Sequence, residues 1–293
     1  MISFRYHIVS LVAVLLSLAA GVVLGGGPLS ALGRGDSAAS PSSADTKDAA
    51  RAEAFADAFA EQGATRLYAD GLAKRGVVLV SFPGASDTIR NALAKQVAAA
   101  GGKVTGSYAV QANLVDPGEK TLVDTLGSQL MTQLPDGTVS GDAATYDRLG
   151  ELLGTAVATT ETTGSPELGD RSTTILSSLD GAGLVTSTGK AAGRASYVVL
   201  LLGDDSGTDA DPIYAGLVTG LASHAAGVVV ASGGDTGTLE RLREDPAAEQ
   251  VATVDGADGA AGQVTTVLTL TQWPASKGGS FGAAGADGAV GLR

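Results

Sequence analysis

The sequence predicts an α/β protein: a single N-terminal transmembrane helix, a short linker helix, and an ectodomain built on a Rossmann-like, mostly parallel sheet. Three observations carry that prediction. Residues Ile8–Leu24 hold no charged side chain. Three later runs, GVVLVSF (Gly76–Phe82), YVVLLL (Tyr197–Leu202) and VVVA (Val228–Ala231), are short and continuously apolar, the pattern of strands covered on both faces. Each is followed by a turn rich in Gly, Ser and Asp and then by a helical segment, and strands that alternate with helices pair in parallel.

The apolar run comes first. Counted through Gly27 it suffices to cross a hydrocarbon layer ~30 Å thick. Arg5 precedes it and the next cation is Arg34, so residues 1–7 are expected in the cytoplasm and everything beyond residue 27 outside the cytoplasmic membrane. A cleaved signal peptide has a shorter apolar core and ends in small residues of A-x-A type. Gly25–Ser30 reads GGGPLS, so the expectation is a retained anchor. Ala13, Ser17, Gly21 and Gly25 recur every fourth residue and share one helix face, where small residues let a second helix, from a partner or another copy, approach closely.

Residues 28–74 read as a linker. Gly33–Thr46 is a Ser/Ala/Asp tether with nothing to bury. Lys47–Gln62 is Ala-rich and strongly helix-forming. Phe55 and Phe59 share a face there, but two heptads without a Leu or Ile seam make a docking helix more readily than a coiled coil.

The ectodomain is expected over residues 75–273. After the strand at Gly76–Phe82, Ser86 or Asp87 caps a helix through Ala100, Gly101-Gly102 stops it, and Lys103–Val110 is a second strand. Leu114–Gln133, Asp142–Thr159 and Arg171–Leu179 read as helices, with Thr160–Gly169 a polar loop. The strand Tyr197–Leu202 leads to a helix at Asp211–Ala225. The strand Val228–Ala231 leads to a helix at Thr236–Glu244, and Val251–Val254 to a last helix at Gly259–Gln272. The Gly-rich tail, residues 274–293, reads as disordered.

Composition narrows the chemistry. The net charge of -12 repels phosphate backbones, so nucleic acid is not an expected partner. With no Cys in the chain, thiol nucleophiles, zinc–cysteine sites and iron–sulfur clusters are excluded. Of the two histidines, His7 belongs to the cytoplasmic start. His224 falls in register with the apolar Ile213, Leu217 and Leu221 and reads as a packed helix-end residue. No nucleophile–base pair can be assembled from this set, and the protein is expected not to be an enzyme. In open parallel sheets ligands bind at the strand carboxyl ends. The loops there carry Asp87, Asp204, Asp205, Asp209, Asp211 and Asp235, which could gather a hard cation or act as helix caps and turn residues. Capping is the expected role. With neither G-x-G-x-x-G nor a Walker lysine, no cofactor and no metal are expected.

Three stretches resemble a known family. MISFRYH followed by SLVAV and AAGVVLGGGPLS at the start, Arg75–Gly106, and VATVDGADGAAGQVTTVLTLTQ (Val251–Gln272) resemble the actinobacterial MctB family of copper transport proteins, over most of Met1–Gln272. That family includes SteB-like cell-division proteins, in which an anchored stalk acts on a peptidoglycan hydrolase with a membrane partner. The resemblance implies a cell-envelope protein concerned with copper homeostasis, or a wall-remodelling scaffold. Family members carry a long coiled coil between anchor and globular domain, which is shortened here. Copper itself prefers thiolate, thioether or imidazole ligands, and beyond the anchor the chain offers only Met131 and His224. A single helix encloses no pore, and outer-membrane spans are usually barrels. The expected role is therefore a non-enzymatic anchor or scaffold that works through other proteins.

Overall fold

The computed structural model describes residues 43–135, 137–162, 166–203, 206–234 and 237–291. By internal contacts the chain divides into two compact units, residues 1–63 and 64–293. The anchor run, with Ala13, Ser17, Gly21 and Gly25, lies outside the described residues. Among those described, no helix is long and apolar enough to cross a membrane.

The first helix, α1 (Ser43–Tyr68), runs 26 residues and begins before and ends well beyond the Lys47–Gln62 read from the sequence. Ala, Glu, Arg and Leu sustain a helix with no apolar stripe to mark its ends. Within the first unit Phe55 and Phe59 stack at 6.4 Å between centroids, and Phe55 is 67% exposed.

The second unit is an α/β domain. Its elements are β1 (Gly76–Ser81), α2 (Asp87–Ala99), β2 (Lys103–Val110), α3 (Ala112–Val115), α4 (Lys120–Gln133), α5 (Thr145–Val157), α6 (Asp170–Gly181), β3 (Val185–Ser187), β4 (Tyr197–Leu202), α7 (Asp211–Ala222), β5 (Gly227–Ser232), α8 (Gly237–Glu244), β6 (Ala252–Val254), α9 (Ala260–Thr271) and β7 (Ser280–Phe281). Seven strands form one sheet in the order β3-β2-β1-β4-β5-β6-β7. Every pairing is parallel except β2 with β3. All six residues of β1, β4 and β5 are buried, as continuous apolar runs require when helices cover both faces.

Val78, Val80, Val198, Leu200, Val228 and Val230 belong to one core with α4–α8. Alternate residues such as Val77, Leu79, Val199 and Val229 are buried on the other face, the side on which α2 packs on β1 and β2 and α9 on β5 and β6. Ser86 is the cap of α2, its Oγ accepting from Thr88 N at 3.2 Å. The long helix expected over Leu114–Gln133 is broken instead into α3, a 3₁₀ turn at Pro117–Glu119 and α4, because a proline cannot sit inside a helix and still donate its ladder hydrogen bond.

The densest contact in the domain joins α5 to α7. Four glycines make it. A Cβ placed on Gly150 would lie 2.5 Å from Leu217 O, one on Gly154 2.9 Å from His224 Cβ, and one on Gly216 2.9 Å from Tyr146 Cβ. A Cβ on Gly220 would fall on the carbonyl oxygen of Asp147. Gly150/Gly154 and Gly216/Gly220 are each four apart and face one another, so the two backbones touch directly. The small-residue spacing read in the N-terminal apolar run recurs here, in the core of the α/β domain.

One expectation is corrected. The tail read as disordered is, through residue 291, a packed strap. Gly278 N donates to Val251 O at 2.7 Å and Thr253 N to Gly279 O at 2.9 Å, Ser280–Phe281 pairs in parallel with β6, and Phe281 is 4% exposed. Glycine content lowers intrinsic order, but here it lets the backbone lie flat: a Cβ at Gly291 would meet the Phe281 ring at 2.7 Å. Just upstream, Trp273 lies against the backbone of Gly227 at the start of β5, within 2.6 Å of where a Cβ there would sit.

Candidate functional site at the strand carboxyl ends

β1 and β4 lie side by side at the centre of the sheet, and their following connections lead to β2 on one side and β5 on the other. This is the topological switch point, where an open α/β sheet ordinarily leaves a ligand crevice. Among the described residues, backbone fills the crevice. Phe82 N donates to Leu201 O at 2.8 Å and Ala85 N to Phe82 O at 3.0 Å, folding the turn Pro83–Ala85 onto β4. A Cβ at Gly203 would land on Pro83 O and lie 2.6 Å from Ala85 N, so only glycine permits this approach.

Side chains around the closed crevice are spent on each other. The Phe82 and Tyr214 rings are 4.9 Å apart, the Tyr214 and Ser206 hydroxyls share a hydrogen bond of 2.6 Å, and Ser206 N donates to Thr238 Oγ1 at 3.1 Å. Arg241 Nε donates to both Asp211 oxygens, at 2.9 and 2.8 Å. The void bounded by Asp211, Tyr214, Thr238 and Arg241 is about 20 Å³, room for about one water and far below a small-molecule site.

The sequence-predicted residues separate accordingly. Asp87 is bound by Arg90 of its own helix at 2.6 Å, Asp209 is exposed in a 3₁₀ turn, and Asp211 opens α7 and serves Arg241. Asp204, Asp205 and Asp235 lie outside the described residues. Among the described residues no three His, Asp or Glu side chains gather as metal ligands. Met131 packs against the core.

Two polar centres escaped sequence reasoning. At the end of β6, Asp255 is 8% exposed and accepts from Arg243 Nη2 at 2.8 Å and Ala283 N at 2.6 Å. Arg243 also donates to Thr253 Oγ1 and to Phe281 O. The strap is latched by this carboxylate. A carboxylate directly after a buried strand, VATVD, was its one sequence signal. The second centre joins Glu151 of α5 to His224. Glu151 Oε2 accepts from Ser140 N at 2.7 Å and lies 3.9 Å from His224 Nε2.

Burial lowers the His224 pKa below its ordinary 6.5, and Glu151 opposes that shift. The unfolded chain therefore binds a proton at a pH where the folded one does not. The contribution is intact above about pH 6.5 and is lost as the pH falls through the window below it. His224→Gln is expected to flatten this acid limb, a change under about 1 kcal/mol, in thermal melts between about pH 7 and 5. Asp147 acts with the opposite sign at lower pH: burial and then Glu151 raise its pKa above 3.8, against its backbone hydrogen bond.

A family model described as "Copper transport outer membrane protein, MctB" matches residues 1–291 of the chain. The chain is 31% identical over 299 residues to "Copper transporter MctB" of Mycobacterium tuberculosis strain H37Rv and to the protein of that name in Mycobacterium bovis, with 92% of each chain covered. Identity to the Mycobacterium leprae protein of the same name is 30% over 307 residues, with 92% of each covered. The similarity thus spans the N-terminal apolar run, the α/β domain and the strap together, and the chain belongs to the MctB copper transport outer membrane protein family.

Proposed function

We propose that this protein is a single-pass, membrane-anchored envelope component that contributes to copper homeostasis through partner proteins, without catalysing a reaction and without carrying the ion in its own domain. The observation that carries this reading is the closed switch point: the place where the fold would hold a ligand is occupied by Pro83–Ala85 against Gly203. The donor chemistry agrees, since thioether and imidazole beyond the anchor come only from Met131 and His224. Specificity then resides in helix pairing in the lipid, along Ala13, Ser17, Gly21 and Gly25, and on the domain surface. The relatives' names supply copper as the cargo that the wider system handles.

Copper titration of the purified full-length protein in detergent tests the reading. Cu(I) and Cu(II) are expected to show no stoichiometric site tighter than about micromolar, roughly 8 kcal/mol of binding. A one-to-one site of nanomolar affinity would overturn it.

A second reading has its own observation. The 26 residues of α1 and the exposed Phe55, stacked on a half-buried Phe59, give a longer helix than the sequence suggested. They support a SteB-like cell-division role in which that helix, with a membrane partner, engages a peptidoglycan hydrolase.

A further inference from the structure

Charge is distributed unevenly along this acidic chain. Residues 64–103 hold six Lys/Arg against two Asp, whereas residues 104–293 hold nine against twenty-three Asp/Glu. The fold gathers five of the six cations at one corner. Arg66 stands in the last turn of α1, Lys95 near the C-terminal end of α2, Lys74 and Arg75 just before β1, and Lys103 at the start of β2. The corner is knitted by hydrogen bonds: Lys103 N to Arg75 O at 3.1 Å, Leu72 N to Ala100 O at 3.0 Å, and Tyr68 Oη to Gln96 Oε1 at 2.8 Å. The sixth cation, Arg90, pairs with Asp87 at the far end of α2.

Internal needs do not account for this cluster. Arg75 is held by Tyr197, donating to its hydroxyl at 2.8 Å and lying over its ring. Arg66, Lys74, Lys95 and Lys103 are exposed, and among the described residues none of them enters an ion pair. Compensation of a helix dipole explains Arg66 but not Lys74, Lys95 or Lys103. Lys74 moreover holds φ at +61°, a conformation that costs a lysine energy. Solubility is already provided by the net charge of -12. Four exposed cations with one exposed carboxylate among them, Asp70 beside Gly101, leave this corner net positive on an acidic chain, which marks a surface for an anion.

The geometry points to the anionic headgroups of a lipid bilayer as that partner. A long polyanion would also meet the strongly acidic remainder of the domain and be repelled by it, whereas a flat surface meets the corner alone. The same polypeptide carries the apolar run Ile8–Leu24, and a bilayer tethered in this way is presented at high effective concentration. We propose that the corner formed by Arg66, Lys74, Lys95 and Lys103 docks on anionic lipid, giving the domain a second, electrostatic contact with its membrane; this rests on the anchor proposed above.

The absence of cysteine makes the test clean, because one introduced thiol carries one dye. Full-length A98C, labelled beside the corner, and D209C, labelled near the strand carboxyl ends, are reconstituted in phosphatidylcholine vesicles with or without about 30% phosphatidylglycerol and a headgroup-borne quencher. The A98C dye is expected to be quenched several-fold more with phosphatidylglycerol than without it, and the D209C dye equally in both. About 0.5 M NaCl, or the combined K74E, K95E and K103E substitutions, should return A98C to the phosphatidylcholine level. Quenching that ignores lipid charge, salt or the triple substitution overturns the docking surface. A carbonate wash reads the anchor separately. A chain that washes off overturns the anchor, and phosphatidylglycerol-dependent cosedimentation at low salt then still decides for or against the corner.

Discussion

Replacing Gly220 by alanine is expected to destabilise the α/β domain by about 3 kcal/mol, a fall in Tm of roughly 6–12 °C for a domain of this size. Alanine gains about 1 kcal/mol in intrinsic helix propensity, so the net loss measures the steric term against an opposing bias. The new methyl group has no room. It would fall on the Asp147 carbonyl and lie 2.6 Å from Glu151 N, and both are backbone atoms of a helix buried along most of its length. The only relief is to drive α5 and α7 apart, which opens the packing of Leu149, Leu153, Leu217 and Leu221 behind them. Gly181→Ala is the matched control: nothing lies within 4 Å of its would-be Cβ, so the same chemical change should leave Tm unchanged or slightly raised. A Gly220→Ala protein that melts within about 2 °C of the parent would refute the direct backbone contact.

The second large effect is expected at Asp255. Its removal leaves the Arg243 guanidinium, 12% exposed, without its counter-charge, and strips acceptors from Ala283 N and Ala284 N. Breaking one half of a buried ion pair typically costs 3–5 kcal/mol, and Asp255→Ala is expected to lose about 3 kcal/mol. The loss should be local in character. Hydrogen exchange should show the Ala283 and Ala284 amides losing protection first, together with β7, and limited proteolysis should nick the strap before the domain melts. Asp255→Asn should fall between the two, since an amide oxygen still accepts from the backbone but carries no charge. Strap amides that stay protected in Asp255→Ala would show that β7 and the Phe281 ring hold the segment by themselves.

Legibility in the sequence followed the physics of each signal. Continuous runs of Val and Leu announce strands buried on two faces, so β1, β4 and β5 are found within a residue or so of their observed limits. Short edge strands carry no such signal. Val185–Ser187 and Ser280–Phe281 have little apolar periodicity, and each becomes a strand through its neighbour, β2 or β6. The strap was misread because glycine content speaks to backbone entropy, while the deciding interactions, Asp255 with Arg243 and the seating of Phe281, are tertiary.

The α5–α7 glycines show a different limit. Spacing of four was visible at Gly150/Gly154 and Gly216/Gly220, but in a chain with 42 Gly the spacing alone does not say which pairs face each other. The switch point was legible as a location and not as a state. Strand order places ligands there in general, whereas its occlusion depends on Gly203 meeting one turn. Of the acidic loop residues, Asp87 pairs with Arg90 and Asp211 with Arg241, while Asp209 is exposed. Arg241 and Arg243 sit two apart on α8, and only the fold assigns the one to Asp211 and the other to Asp255.

Trp273 gives this architecture an optical property. It is the sole indole of the chain, and it is wedged on Gly227 where the strap departs from the last helix. Emission excited selectively from indole therefore reports a single locus, the junction between the central sheet and the tail, with no background from elsewhere. Trp273 is half-buried, and unseating the tail exposes its ring further to water and shifts its emission to the red. The molecule thus carries its own label at the point where its most composition-defying segment begins.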